Sequence, residues 1–226
     1  MLTIVPDLLS PEDLASILPR MAEAKWTDGA ETAHGRAKEL KHNLQLLPSD
    51  DLGKEVAKLV LERMAANAHF TRSALPERIL PPMVNCYRDG GTYGPHSDRA
   101  LMAAPDGRGS LRTDLSATVF LCDPASYDGG ELVIDHPFGT RAVKLKAGAM
   151  VVYPSSTLHW VKPVTRGQRI CAVTWIESAV PDPEKRGLIE ELALAIGGLR
   201  QGRPGDEPHI DRVNNVRMNL IRMWSR

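Results

Sequence analysis

From about residue 79 to about residue 178 the chain breaks into short apolar runs parted by Gly, Pro, Asp and Ser. This rhythm limits what it can fold into. The runs are ILPPMVNCY, YGPHSD, LSATVFLCD, GELVID, RAVKLK, AMVVYP, HWVKPV and RICAVTWIES. Many short strands with turn signals between them predict a β-sandwich or barrel. Asp128-Gly129-Gly130 and Lys146-Ala147-Gly148 supply the turn chemistry such a sheet needs.

The flanks read differently. Residues 2–5 (LTIV) form a short strand, and Ser10-Pro11-Glu12-Asp13 opens a helix. Ser10 caps it, Pro11 suits its first turn, and the acids favour the positive dipole end. Leu14, Ile17, Leu18 and Met21 then share one helical face. A second helix runs from Ser49 to about Ala68, with Leu52, Val56, Leu59, Val60, Arg63 and Met64 tracing its stripe. Beyond Pro181-Asp182-Pro183 a helix is expected from Glu184 to about Leu199, ending at Gly197-Gly198. A polar loop (201–208) and a last helix over about 209–224 follow. Two helices cannot bury an apolar stripe alone, so this appendage packs on the barrel or on a second copy, and a homodimer through it is expected.

Composition excludes some partners. Net charge is zero, from 28 basic and 28 acidic residues, which argues against broad attraction to nucleic acid or anionic membrane. No run of about 18 apolar residues exists, so no membrane span is expected. The N-terminus lacks a basic stretch followed by a long apolar one, so no signal peptide is read. Cys86, Cys122 and Cys171 form no CxxC pair, and an odd count suggests free thiols in a reducing, cytoplasmic compartment.

Three separated pieces carry chemistry. In Tyr93-Gly94-Pro95-His96-Ser97-Asp98, alternation on an extended strand projects His96 and Asp98 to one side. His159 follows about sixty residues later, after an apolar strand and a Pro-Ser-Ser turn, and the gap holds about four short strands. A sheet can fold it back beside His96. Two imidazoles and one carboxylate make the facial triad of non-haem iron oxygenases, although the same ligand types also suit zinc. Arg169 begins an apolar strand after Gly167, where a guanidinium is costly to bury without an anion. Its fork matches a carboxylate. By parity Arg169, Cys171, Val173 and Trp175 share one face, and Trp175 closes a wall if that face lines a cavity. His136 reads as a hairpin-loop residue. His34, His42, His69 and His209 read as surface or packing residues. The long connection over 99–114 carries Arg99, Arg108 and Arg112, either as a solvated loop or facing an acidic substrate.

The order His-x-Asp, about sixty residues, His, ten residues, Arg resembles the 2-oxoglutarate/Fe(II) dioxygenase superfamily. Asn85-Cys86-Tyr87-Arg88-Asp89-Gly90-Gly91 and Asp128-Gly129-Gly130-Glu131-Leu132 are similar to its prolyl 4-hydroxylase branch. Tyr153-Pro154-Ser155-Ser156-Thr157-Leu158-His159 and the C-terminal Asn219-Leu220-Ile221-Arg222-Met223-Trp224 extend the likeness to the bacterial PKHD-type hydroxylases over nearly the whole chain.

The resemblance implies an α+β, mainly β fold: a double-stranded β-helix (jelly-roll) barrel, with supporting N-terminal helices and C-terminal helices. The oxygenase domain is then expected over 1–180, with its core at about 79–178, and the helical appendage over 181–226. It implies His96, Asp98 and His159 as iron ligands and Arg169 as the anchor of 2-oxoglutarate. Tyr87 falls where related hydroxylases place a co-substrate-contacting tyrosine. On the strand Leu115 to Cys122, Phe120 lacks the hydroxyl some relatives use, and Thr118 has the same parity. The implied cofactors are Fe(II), 2-oxoglutarate, O2 and, as reductant, L-ascorbate. The implied reaction hydroxylates an unactivated C–H bond with release of succinate and CO2. Its substrate is either peptidyl and amino-acid-like or a small siderophore-like molecule. The rival readings are a cupin-like metalloenzyme without 2-oxoglutarate and a non-catalytic jelly-roll iron-sensing protein.

Overall fold

The computed structural model describes residues 2–32, 35–47, 49–104, 107, 109–136, 138–202 and 207–225. The chain opens with β1 (Thr3–Val5), α1 (Pro11–Met21), β2 (Thr27–Asp28), α2 (Arg36–Leu40), β3 (Lys41–His42) and β4 (Leu44–Gln45). Then come α3 (Asp51–Ala66), α4 (Ala68–Ala74), β5 (Pro76–Ile79), β6 (Met83–Tyr87), β7 (Thr92–His96), β8 (Leu101–Ala103) and β9 (Ser110–Arg112). The barrel continues through β10 (Leu115–Phe120), β11 (Asp128–Gly129), β12 (Leu132–Ile134), β13 (Arg141–Val143) and β14 (Met150–Pro154). It closes with β15 (His159–Val161), β16 (Val164–Arg166) and β17 (Arg169–Ser178), and α5 (Pro183–Gly202) and α6 (Glu207–Trp224) end the chain.

Every apolar run singled out between 79 and 178 contains a strand. Seven strands, β8 to β14, separate the two histidines, where about four were expected. The excess is the β8–β9 hairpin inside the supposed loop and the two-residue β11 at the Asp-Gly-Gly turn. The major sheet runs β1-β14-β10-β17-β6-β4-β2, with β5 also on β17. The minor sheet runs β13-β12-β15-β7-β3. Both are antiparallel throughout, as hairpin-scale connections require.

The two sheets face each other over an inner core. Phe120, Val151, Tyr153 and Cys171 come from the major sheet, and Leu132, Ile134, Val143 and Val161 from the minor one. This is the jelly-roll arrangement. A second core fills the outer side of the major sheet, where Ile17, Met21, Val56, Val60, Met64 and Phe70 pack on Val84, Ala117, Val119 and Ala172.

Local chemistry explains the helix limits. Asp13 N donates to Ser10 Oγ at 3.1 Å and Ser10 N to Asp13 Oδ2 at 3.0 Å, a reciprocal cap. Arg63 from α3 adds 2.8 Å and 2.7 Å bonds to the same carboxylate, tying the two helices together. Asp50 caps α3, accepting from Gly53 N at 3.0 Å, so the helix begins two residues later than expected, at Asp51. Asn67 ends α3 and caps α4. At the Lys146-Ala147-Gly148 turn, Gly148 has φ +85° and a Cβ would meet Leu9 O at 2.4 Å. Only glycine fits there.

The C-terminal expectation needs correction. Gly197-Gly198 do not end α5, which continues to Gly202. The cost of glycine inside a helix, about 1 kcal/mol each, is offset where α5 packs on α4 and α6. The last helix begins at Glu207, and residues 203–206 of the expected polar loop lie outside the described residues. No described helix is long and apolar enough to cross a membrane.

Candidate active site

Strand pairing brings the two histidines together. β7 and β15 are antiparallel neighbours, and their register sets His159 directly opposite His96. Asp98 follows β7 by two residues, and its N–H donates to Ser155 O at 3.2 Å, which pins it to the turn before His159. The result is a triad. His96 Nε2 lies 4.0 Å from Asp98 Oδ1, and His159 Nε2 lies 3.7 Å from Asp98 Oδ2. One donor atom from each residue falls within 4.8 Å of the others, and no other such group occurs among the described residues.

The ring orientations suit metal binding. His96 Nδ1 stands 2.8 Å from Gly94 O, and His159 Nδ1 stands 2.9 Å from Thr157 O. A carbonyl only accepts, so each Nδ1 carries a proton and each Nε2 is the nitrogen turned towards Asp98. Burial, and then the neighbouring His159, push the His96 pKa down to about 4. It is therefore neutral near pH 7, the state a metal needs. Tyr93 stacks on His96 with ring centroids 3.6 Å apart. Ser116 Oγ donates to Asp98 Oδ2 and lies 2.7 Å from Ser155 Oγ. Such contacts fix the aim of a ligating carboxylate. The donor set and its geometry fit one divalent ion.

Arg169 is 1% exposed and therefore not an edge residue in solvent. Its guanidinium sits 5.0 Å from the Tyr87 ring centroid and 5.3 Å from that of Phe120, and Nη1 donates to Cys171 Sγ at 2.9 Å. Nε has no partner, and no carboxylate forms an ion pair with it among the described residues. A buried cation without an anion is unfavourable unless a ligand supplies one. Gly130, at φ +67°, makes room for it: a Cβ would meet Arg169 Cδ at 3.0 Å. That accounts for the second glycine of the Asp-Gly-Gly turn.

A cavity of about 150 Å³ connects the triad to Arg169, and Tyr87, Thr118 and Trp175 line it too. Tyr87 is buried, and desolvation raises its hydroxyl pKa. Thr118 and Tyr153 are both buried and both line the cavity. Trp175 leaves its buried Nε1 without a partner.

Several cavity residues escaped sequence reasoning. Lys41, Asn85, Tyr93, Ser116 and Tyr153 all line it. Alternation along LSATVF and AMVVYP offered Ser116 and Tyr153 as inward positions. Lys41 had no such signal, because a two-residue strand carries no period. Elsewhere, His136 is exposed and accepts from Phe138 N at 3.3 Å. His42 lies on β3, His69 on α4 and His209 on α6, while His34 and Arg108 fall outside the described residues. Arg112 is occupied by Asp114 and Glu177, and Arg99 lines the cavity.

Comparison with known proteins agrees with this geometry. A family model described as the 2OG-Fe(II) oxygenase superfamily matches residues 82–177. A PKHD-type hydroxylase of Teredinibacter turnerae is 44% identical over 226 residues, covering 100% of both chains. The chain belongs to the PKHD-type hydroxylases of the 2OG-Fe(II) oxygenase superfamily. Among solved structures, a Pseudomonas putida prolyl-4-hydroxylase matches this hydroxylase with TM-score 0.55 and 21% identity, covering 78% of this chain and 92% of that one. A Trichoplax adhaerens prolyl hydroxylase, solved in complex with a hypoxia inducible factor peptide fragment, matches at TM-score 0.56 and 14% identity, covering 83% and 86%. These structures establish the shared fold. Membership makes the protein an oxygenase that uses Fe(II), 2-oxoglutarate and O2.

Proposed function

We propose that the cavity between the two sheets is where this hydroxylase oxidises an unactivated C–H bond, with His96, Asp98 and His159 holding iron and Arg169 holding 2-oxoglutarate. One observation carries the reading: a His-Asp-His triad and a buried guanidinium without an anion share one cavity. Iron with its 2-oxo acid, when bound, would supply the oxidation of substrate by O2, one oxygen atom going to the hydroxylated product and the other to succinate, with release of CO2.

The chain's own residues supply position. Gly94 O and Thr157 O hold the imidazole tautomers, and Ser116 holds the carboxylate. Arg169 takes the distal carboxylate of the co-substrate, and Tyr87, Thr118 and Tyr153, which line the same cavity, supply hydroxyls beside it. Trp175 walls the cavity and keeps one indole N–H for a ligand. The apolar remainder, including Leu132, Val161 and Val173, excludes water.

The substrate is read as peptidyl and amino-acid-like or siderophore-like, since fold does not set it. L-ascorbate serves as reductant, the three free thiols fit the cytoplasm, and residues 181–226 form an appendage to an oxygenase unit of 1–180. The exposed Leu188, Leu194 and Met223 on that appendage fit a homodimer contact. The test loads the protein anaerobically with Fe(II) and measures iron retention and succinate formed from 2-oxoglutarate. The wild type is expected to retain iron and release succinate, and His96→Ala and Asp98→Ala to lose both. Intact iron binding in both variants refutes the assignment.

A further inference from the structure

Lys41 is a second buried cation in the same cavity. It is 6% exposed, on the edge strand β3, where it pairs in register with Tyr93. Its Nζ donates to Thr32 Oγ1 at 3.0 Å and to Gln45 Oε1 at 3.2 Å. An ammonium has three donors, so one is left over. No carboxylate lies within ion-pair distance of it among the described residues. Asp28 acts on it only from further away. The same Nζ stands 5.8 Å from the Tyr93 ring centroid, and that ring stacks on His96. The cation is thus one aromatic ring removed from a proposed metal ligand. Gln45 beside it is fully buried, with Nε2 unpartnered.

Charge counting gives this placement meaning. The charged residues lining the cavity are Lys41, Asp98, Arg99 and Arg169. A divalent metal and a 2-oxoglutarate dianion cancel each other, and Asp98 cancels Arg169. Lys41 inside and Arg99 at the exposed rim remain. The buried, uncompensated Lys41 is unfavourable unless the third ligand is anionic, and Arg99 adds positive potential at the rim. Resting on the function proposed above, we propose that Lys41 recognises a carboxylate-like anionic group of the primary substrate, with Arg99 guiding it in at the rim. Lys41 is then a specificity residue, distinct from the co-substrate anchor. Arg169 itself lies on β17, paired in register with Tyr87 of β6. Thr32, one of the Lys41 partners, is exposed at the mouth through which a substrate arrives.

The experiment uses the full chain loaded with Mn(II) and N-oxalylglycine. It measures binding of N-acetyl amino acids as free carboxylates and as their primary amides, by ligand-observed NMR. The wild type and Lys41→Arg are expected to favour the carboxylates by about tenfold or more, and Lys41→Met to lose that preference. Absence of a preference in the wild type, including no binding of either form, overturns the inference and needs no variant to fold. So does a preference that survives in folded Lys41→Met. Calorimetry with 2-oxoglutarate separates the two sources of a carboxylate. Its Kd is expected to stay within about twofold in Lys41→Met, whereas a rise of about tenfold assigns Lys41 to the co-substrate and overturns the inference. Failure of the Mn(II)-loaded wild type to bind 2-oxoglutarate would refute the underlying function instead.

Discussion

The two faces of the major sheet do opposite things with polar groups. On the outer side, acids and arginines of α1 and α3 satisfy each other: Asp13 accepts from Ser10 N and twice from Arg63, and Glu55 accepts from Arg20. On the inner face, Arg169 Nε and Trp175 Nε1 are buried without partners, and nearby Gln45 Nε2 is too. Buried polar groups are normally bonded, because desolvation costs about 1–3 kcal/mol for each one left open. The open donors of Arg169 and Trp175 line the cavity beside the His-Asp-His triad, where a ligand can meet them, whereas the Asp13–Arg63 contact is complete without one.

That contrast breaks if outer changes alter ligand binding, or inner changes alter stability instead. The largest effect is expected on the outer side. Phe70 is fully buried in the outer core, so Phe70→Ala should lower unfolding stability by about 3–5 kcal/mol in denaturant titrations. The 2-oxoglutarate Kd of the folded fraction should not move.

Next comes Arg169→Leu, with the reverse signature. Removing one partner of a buried ion contact costs about 2–5 kcal/mol, so calorimetry should show 2-oxoglutarate binding weakened by about 30-fold or more. The ligand-free protein should melt no lower than wild type, since an unpaired buried charge has been removed. A lower melting temperature with unchanged affinity would make Arg169 a structural residue.

Ser116→Ala sharpens the comparison within the inner face. Loss of the hydroxyl that aims Asp98 should weaken metal affinity by about 10–100-fold in competition with a chelator. The smallest effect is Asp13→Asn, about 1 kcal/mol of stability. It also has a pH signature. The Arg63 bonds hold the Asp13 pKa at about 2 against an ordinary 3.8. A depressed carboxylate stabilises the fold above its unfolded pKa. This contribution is therefore whole above about pH 4 and drains away as pH falls from 3.8 towards 2. In the variant, the stability–pH curve should be flatter across that window.

Much of the site was legible because its residues sit in local patterns. Alternation placed His96 beside Asp98, and the same parity argument put Arg169 and Trp175 on one face. Lys41 was not legible, because a buried amine among charged neighbours reads like any surface lysine. The role of Gly197-Gly198 was misread for a related reason: packing of α5 against α4 and α6 overrides a local breaker.

Composition and strand rhythm were enough to set the kind of sheet, and the order of His96, Asp98, His159 and Arg169 carried the family resemblance that implied the chemistry. Short-range periodicity and side-chain identity are properties of the chain itself. Register was not: His159 meets His96 only because β15 pairs with β7 across more than sixty intervening residues. The join of Lys41 to this cavity likewise depends on two-residue strands whose pairing no local pattern encodes. Long-range strand pairing is chosen by the whole packed core, so the tertiary structure alone decided which open cations face the metal ligands.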